Sequence, residues 1–246
     1  MREPVLILGA TSAIARSAAG AFAAKGYSLY LAGRDREELE RLASDFRLRY
    51  QVEVGCGLFD AEDYESHAAF VERVLDEAGE LKGVLLAFGY LAEKRLAESD
   101  PKERVSMLAR NLIGAVSLLE PLAARLERQR SGFVIGISSV AGDRGRQSNY
   151  NYGAAKGGFT IYLQGLRNRL FHAGVRVVTI KAGFVDTAMT YGMPGLFLVA
   201  SPEYVGSRIV RALERGSNVA YIPWFWRCLM LVIRLIPESL FKRLKL

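Results

Sequence analysis

Tyr152 and Lys156 stand four residues apart in Tyr152-Gly153-Ala154-Ala155-Lys156. On a helix this spacing puts a phenol and an ammonium on one face. A nearby ammonium favours tyrosinate and lowers the tyrosine pKa, which suits a proton donor working near neutral pH. Ser139 lies thirteen residues before Tyr152, in Ile137-Ser138-Ser139-Val140-Ala141-Gly142, just past an apolar run. Its hydroxyl could hold a carbonyl oxygen against Tyr152 while the carbonyl carbon accepts a hydride. A Tyr-x-x-x-Lys pair alone is common. The Ser-Ser-x-x-Gly run after a strand at this distance gives the pair its weight. Tyr150 is a rival acid, but no lysine follows it four residues later. Ser138 has the plainer role of packing or bonding to backbone.

Such groups need a frame, and the chain alternates short apolar runs with longer helical patterns. Strands are expected at 5–8, 28–32, 52–56, 84–87, 133–137, 175–180 and 219–222. Helices are expected at 12–25, 35–47, 61–78, 100–128, 152–172 and 202–215. Asp35 followed by Glu38 has the form of a capping box, and Asp100-Pro101 is a helix start. Strand–helix alternation implies parallel strands joined by right-handed crossovers. Continuous apolar strands imply cover on both faces. The expected fold class is therefore α/β, a Rossmann-type doubly wound parallel sheet of about seven strands flanked by helices, with a C-terminal amphipathic helical tail. Ligands of such sheets bind at the carboxyl ends of the strands.

The first such end is Gly9-Ala10-Thr11-Ser12-Ala13-Ile14-Ala15. A dinucleotide pyrophosphate needs a tight turn, close backbone approach and a helix N-terminus. Gly9 supplies the turn, and Ala13 and Ala15 are small enough for approach; any strand-to-helix turn can share this composition. After the second strand comes Gly33-Arg34-Asp35. An acid at the end of that strand favours NAD, and a basic residue favours the phosphate of NADP. Gly33 with Arg34 points to NADP(H) in preference, with NAD(H) the alternative. Asp35 reads as a helix cap, and Arg34 also fits a solvated loop charge.

The 246 residues are half hydrophobic and contain no linker, repeat or low-complexity tract, so one domain is expected. Residues 1–222 read as the catalytic NAD(P)-binding domain and 223–246 as its basic amphipathic extension. Cys56, Cys228, His67 and His172 have no metal-ligand spacing. Two cysteines suggest a reducing compartment, and the first ten residues lack the pattern of a signal peptide. The net charge of +7 is concentrated in part at the C-terminus, where Arg227, Arg234, Lys242, Arg243 and Lys245 interleave with apolar residues. The stretch 224–236, with Arg227 and Arg234 inside it, is too short and too charged to span a bilayer. Paired tryptophans and clustered bases fit an interfacial helix on anionic lipid; a core or subunit-interface helix is the alternative. The tail is too apolar to suggest nucleic acid. Residues 188–199, including Pro194, are apolar and glycine-punctuated, like a lid over a greasy substrate or a loop tucked on the core.

Taken together, the first turn, the Ser-Ser-x-x-Gly run and Tyr152-x-x-x-Lys156 resemble the short-chain dehydrogenase/reductase family to about residue 222. The resemblance implies Ser139, Tyr152 and Lys156 as catalytic residues, with Asn111 of Asn111-Leu112-Ile113-Gly114 anchoring a water in the proton relay. It implies cofactor contacts from Gly9, Thr11, Ser12, Ala13, Ile14, Gly33, Arg34, Asp60, Ala87, Phe88, Gly89, Tyr152, Lys156, Gly183, Val185 and Thr187. Asp60 would meet the adenine, and Val185 and Thr187 the nicotinamide carboxamide. It also implies a homodimer through the helices beginning near Asp100 and Tyr152. Three departures fall in the cofactor pocket: Ala13 and Ala15 replace glycines, Ala87-Phe88-Gly89 replaces Asn-Ala-Gly, and Ala182 replaces a proline.

A narrower likeness is carried by Leu86-Ala87-Phe88-Gly89, the Ser138–Gly142 run and Ile236-Pro237-Glu238-Ser239-Leu240-Phe241-Lys242. These are similar to the decaprenylphosphoryl-2-keto-ribose reductase group, which reduces a keto-pentose carried on a polyprenyl phosphate. That implies a lipid-linked carbonyl substrate and a cytoplasmic protein peripheral on the inner face of the cell membrane. Arg144 and Arg146 could meet the phosphate or be ordinary loop charges. The alternatives are a reductase of another hydrophobic ketone or aldehyde, and a non-catalytic NADP-binding protein.

Overall fold

The structure is a computed structural model that describes residues 3–193 and 195–244. Seven strands form one parallel sheet: β1 (Val5–Leu8), β2 (Leu29–Gly33), β3 (Val54–Leu58), β4 (Gly83–Leu86), β5 (Phe133–Ser139), β6 (Arg176–Ala182) and β7 (Val219–Ile222). Their order is β3-β2-β1-β4-β5-β6-β7. The chain thus winds outward from β1 in one direction, then crosses back to start again at β4. This leaves a crevice at the carboxyl ends of β1 and β4.

Alternate residues of a strand face opposite sides, and β1 shows why both sides are covered. Val5 and Ile7 enter a core with α1 (Ala13–Ala23), α2 (Arg36–Tyr50) and α8 (Pro202–Glu214). Leu6 and Leu8 enter a second core with α3 (His67–Ala78), α6 (Gly114–Gln129) and α7 (Tyr150–Phe171). All four strand side chains are fully buried, each contributing about 1.5–3 kcal/mol relative to exposure.

The doubly wound sheet matches the expectation from the sequence, while several local boundaries differ. β5 runs to Ser139, because pairing with β6 continues through Ser139 opposite Ala182; the serine therefore ends the strand instead of following it. α7 starts at Tyr150, not Tyr152. The long helix from Asp100 is interrupted: α5 (Pro101–Leu108) passes through a π-helical turn, Ala109–Ile113, into α6. A short helix, α4 (Lys94–Ser99), precedes it, and the third helix begins as a 3₁₀ turn at Tyr64–Ser66. Asp35 accepts from the Glu38 N–H at 3.0 Å, but the Glu38 carboxylate pairs with Arg16 and Arg41. The capping box is therefore only half made.

The tail departs most from expectation. It folds as α9 (Trp226–Leu235), breaks at Ile236-Pro237, and ends in α10 (Glu238–Phe241). Trp226, Met230 and Phe241 are buried in the protein. One face of α9 is thus core, not lipid-facing, and only the other is free for a surface. Lys245 and Pro194 lie outside the described residues.

Gly114, which opens α6, offers a test of this packing. A β-carbon there would sit 2.0 Å from the Ala61 carbonyl oxygen. Alanine is preferred over glycine in a helix by about 1 kcal/mol, whereas overpacking costs about 1–3 kcal/mol. A backbone carbonyl cannot rotate aside, so the clash should win. Gly114→Ala is expected to lower the urea midpoint at unchanged slope; a raised midpoint would show that the 61–62 turn yields freely.

Candidate active site

At the crevice, Gly9 has φ +84°, and an added β-carbon would lie 2.8 Å from both the backbone nitrogen and the β-carbon of Phe88. The turn after β4 thus lies directly on the turn after β1, which only glycine permits. Ser12 caps α1 by accepting from the Ala15 N–H at 3.3 Å, and its hydroxyl donates to the Ala87 carbonyl at 3.4 Å. Thr11 holds Arg16 through its carbonyl at 3.0 Å. Ala13 and Ile14 form the first turn of α1. Gly33 ends β2 fully buried, and Arg34 beyond it is exposed, with no hydrogen-bonding or ion-pair partner among the described residues. Gly9, the α1 N-terminus and a free guanidinium at the end of the neighbouring β2 fit a phosphorylated dinucleotide.

Two strands away, Ser139, Tyr152 and Lys156 come together. The Ser139 hydroxyl lies beside the Tyr152 phenol, where it favours the ionised form. Ser139 Oγ accepts from the Ala141 N–H at 3.1 Å and lies 3.4 Å from the Ala182 carbonyl oxygen, to which it donates. Lys156 Nζ donates to the Ile137 carbonyl at 3.0 Å and stands 5.8 Å from the centre of the Tyr152 ring. Ser138 instead points inward, donating to the Lys156 carbonyl at 3.0 Å and bonding Thr160 at 2.7 Å, which is the plain role expected of it. Tyr150 is exposed at the start of α7.

The electrostatics correct one expectation. Burial raises Tyr152 to about 12, with the nearby Ser139 hydroxyl opposing, and burial lowers Lys156 to about 8. Lys156 does not depress the phenol here, because its ammonium is itself desolvated and directed at the Ile137 carbonyl. A phenol that stays protonated still has the form a general acid needs.

Asn111 lies in the π turn, fully buried. Its side-chain N–H groups donate to the Tyr90 carbonyl at 2.6 Å and the Met107 carbonyl at 2.8 Å, and its oxygen accepts from the Tyr90 N–H at 3.2 Å. One amide proton and the amide oxygen pin the turn after β4, while the other proton bonds back to α5. A β-carbon on Gly89 would lie 2.7 Å from the Asn111 oxygen and 3.4 Å from Lys156 Nζ. Gly89, Asn111 and Lys156 therefore share one corner.

The remaining candidates lie around this centre. Asp60 closes its own turn, accepting from the Glu62 N–H at 3.0 Å, and its carbonyl is held by His67 at 2.8 Å. Val185 is buried beside Ala200, and its carbonyl accepts from the Thr190 hydroxyl at 2.6 Å. The Thr187 N–H donates to the same hydroxyl at 3.2 Å. Gly183 lies under the Trp226 indole, whose Nε1 stands 1.9 Å from where a β-carbon would be. Arg144 is unavailable to a phosphate, since it donates to the Ile233 and Ile236 carbonyls at 2.6 Å each. Arg146 is half-buried, its pKa lowered by burial, and its Nε has no partner among the described residues.

Sequence reasoning missed the buried group behind Ser139. Asp143 pairs with Lys181, and accepts from the Tyr221 hydroxyl at 2.7 Å. A lysine inside the apolar run of β6 was the available signal, since a buried charge demands a partner. Both cysteines are free, and no cluster of potential metal ligands occurs among the described residues.

A doubly wound sheet with Ser139, Tyr152 and Lys156 at its carboxyl ends defines a Rossmann-type oxidoreductase. The chain belongs to the short chain dehydrogenase family, which it matches over residues 3–193. It is 36% identical over 241 residues to an uncharacterized oxidoreductase of Mycobacterium tuberculosis, covering 98% of this chain and 96% of the relative. An uncharacterized oxidoreductase of Streptomyces coelicolor is 35% identical over 243 residues, covering 98% and 95%. In fold it is similar to a short-chain dehydrogenase from Sphingobium yanoikuyae in complex with NADPH (TM-score 0.80, 21% identity, 99% of this chain and 96% of that one). It is likewise similar to a single-substitution variant of actinorhodin polyketide ketoreductase with NADPH (TM-score 0.81, 18% identity, 92% and 99%).

The depressed Lys156 makes a prediction about stability. Between about pH 8 and its ordinary 10.5, the unfolded chain holds a proton that the folded chain has released. Stability contributed by this group therefore rises with pH in that window. Above pH 10 the raised Tyr152 works in the opposite sense. The difference in unfolding free energy between wild type and Lys156→Met should change in favour of wild type by about 2 kcal/mol from pH 8 to 10. A flat difference in denaturant titrations would mean that Lys156 stays charged in the fold.

Proposed function

We propose that this protein is an NADPH-dependent ketoreductase with Tyr152 as general acid. The observation that carries the reading is the cluster of half-buried Ser139 and Tyr152 with buried Lys156 at the end of β5. NADPH would supply a hydride to the carbonyl carbon. Tyr152 donates its proton to the carbonyl oxygen, Ser139 orients that oxygen, and Lys156 would hold the ribose. Asn111 fixes the turn after β4 and would anchor a water in the proton relay. Gly9, Thr11, Ser12, Ala13 and Ile14 would cradle the pyrophosphate, and Gly33 and Arg34 the phosphorylated ribose. Asp60 would meet the adenine, with Ala87, Phe88, Gly89, Gly183, Val185 and Thr187 lining the remainder. NADPH is favoured over NADH by the unpaired Arg34, and NADPH is the cofactor named in the two solved structures above.

For the substrate we propose a 2-keto-pentose linked to a polyprenyl phosphate. Met189, Tyr191, Met193, Phe197, Leu198 and Val199 leave an apolar, partly exposed segment beyond β6. Arg146 is the cation between Ser139 and Tyr152 that structure leaves over to suit a phosphate. On the tail, Trp224, Leu231, Val232, Leu235 and Leu240 are exposed, with Arg227, Arg234, Lys242 and Arg243 exposed beside them. These support a cytoplasmic protein that rests on an anionic membrane surface through an extension of its single domain. The 101–129 helix has the length and composition to cross a membrane, but half of its apolar window is inside the fold. Val105, Ile113, Ile161 and Phe171 are exposed on the helices of the expected homodimer.

The assignment is tested by NADPH oxidation with a polyprenyl-phosphate-linked 2-keto-pentose and, separately, a short-chain ketone. Fast turnover of the lipid-linked sugar alone, reduced about a thousandfold in Tyr152→Phe, is expected. Turnover of simple hydrophobic ketones alone would keep the chemistry and reject the sugar. No turnover in any assay, with NADPH still bound, would favour a binding protein.

Membrane seating is tested by co-sedimentation with vesicles containing anionic lipid. Wild type should pellet at low salt and be released at high salt. A Trp224→Ser, Leu235→Ser double variant should stay in solution at both. Equal recovery of the two proteins would rule out the tail as the contact.

A further inference from the structure

Ser139 Oγ is set between two backbone groups, the Ala141 N–H at 3.1 Å and the Ala182 carbonyl at 3.4 Å. Each belongs to a segment that ends against the tail. The first runs through the 3₁₀ turn Val140–Asp143 to Arg144. Arg144 reaches 89 to 94 residues along the chain, donating to the carbonyls of Ile233 and Ile236 at 2.6 Å and Arg234 at 3.3 Å, and to the Glu238 carboxylate at 2.9 Å. Its guanidinium also stacks 3.7 Å from the centre of the Phe241 ring. The side chain is only 14% exposed. The carbonyls it takes are those that a helix leaves unpaired at its C-terminus, so Arg144 caps α9 from the catalytic side of the molecule.

The second segment leads from Ala182 to Gly183, which lies beneath Trp226 at the other end of α9. Trp226 is 1% exposed. Phe184 meets it edge-on at 5.4 Å, and Phe197, from the apolar segment beyond β6, lies 5.6 Å from both rings. Thus α9 is pinned at one end to the loop after β6 and at the other to the turn after β5. Ser139 stands between the two pins.

We propose that Arg144 and Trp226 are positioning residues for carbonyl reduction, which act by holding the tail as a wall of the site. The tail sets where the Val140–Asp143 turn and the Gly183 loop lie, and through them the direction of Ser139 Oγ. Plain packing of the tail on the outside of the fold would leave Ser139 indifferent to Arg144. The positioning role would not.

The chain has two tryptophans, so Trp224→Phe leaves Trp226 as the sole reporter. In that background Arg144→Met removes the charge and fork while keeping an apolar stem. The expected result is a red shift of Trp226 emission, with far-ultraviolet circular dichroism unchanged. The kcat for the polyprenyl-phosphate-linked 2-keto-pentose at saturating NADPH should fall tenfold or more, to about a hundredfold, with KM changing less. Arg144→Lys restores charge without the fork and should recover part of kcat. Unchanged emission and unchanged kcat overturn the proposal. So does a lost kcat with unchanged emission, since Arg144 would then act other than through the tail. Should Arg144→Met fail to fold, Phe241→Ala and Glu238→Gln loosen the same clamp from the tail side. They should move emission and kcat in the same direction, and wild-type values in both overturn the proposal. The turnover arm rests on the reductase reading. The emission arm, and NADPH affinity read by quenching of Trp226, do not, so a failure of either reading is recognisable.

Discussion

The site depends on how closely the backbone after β5 lies on the first turns of α7. A β-carbon on Gly142 would stand 2.6 Å from the Gly157 nitrogen, and one on Gly153 would stand 2.8 Å from the Ala141 carbonyl oxygen. Only an approach without side chains brings Ser139 against Tyr152 and Lys156. Ser138 strengthens the contact from inside, through the Lys156 carbonyl and Thr160. The glycines around the tyrosine and lysine thus matter as much to the geometry as the reactive groups. Larger residues would push α7 outward and separate the serine from the phenol.

Burial is the second consequence of that approach. Desolvation acts in opposite directions on an acid that becomes charged by losing a proton and a base that becomes neutral. It therefore raises Tyr152 and lowers Lys156, which keeps the phenol protonated and makes the ammonium costly. The fold answers part of that cost with the Ile137 carbonyl and the faces of the Tyr152 and Phe159 rings. Behind Ser139, Lys181 and Asp143 show the other solution, a buried pair completed by the Tyr221 hydroxyl. That pair ties β6 and β7 to the turn that follows the serine.

The tail combines two kinds of surface in α9 and the turn just before it. Trp226 and Met230 point into the protein, while Trp224, Leu231, Val232 and Leu235 point out. A helix with apolar residues on both sides is ambiguous in one dimension, since the same residues satisfy a core, a partner or a lipid surface. Arg144 resolves half of the ambiguity, because a guanidinium bonded to three carbonyls at a helix end fixes which face turns inward. It also shows why the two arginines of the 140–149 loop are not equivalent: one is consumed by structure and the other keeps its Nε unbonded.

The sequence by itself determined the α/β class, the parallel arrangement of buried strands and the Ser139–Tyr152–Lys156 spacing. Those properties are local: an apolar run of strand length, a glycine at a turn, and four residues on one helical face are readable without knowing what lies across from them. Tertiary structure alone decided what each group experiences. The π turn that buries Asn111, the phenol raised instead of lowered, the Asp143–Lys181 pair and the inward face of α9 all arise between segments far apart in the chain. Residues 144 and 236, or 183 and 226, carry no mark of one another in the sequence, because desolvation and hydrogen bonding at a site depend on neighbours that only folding supplies.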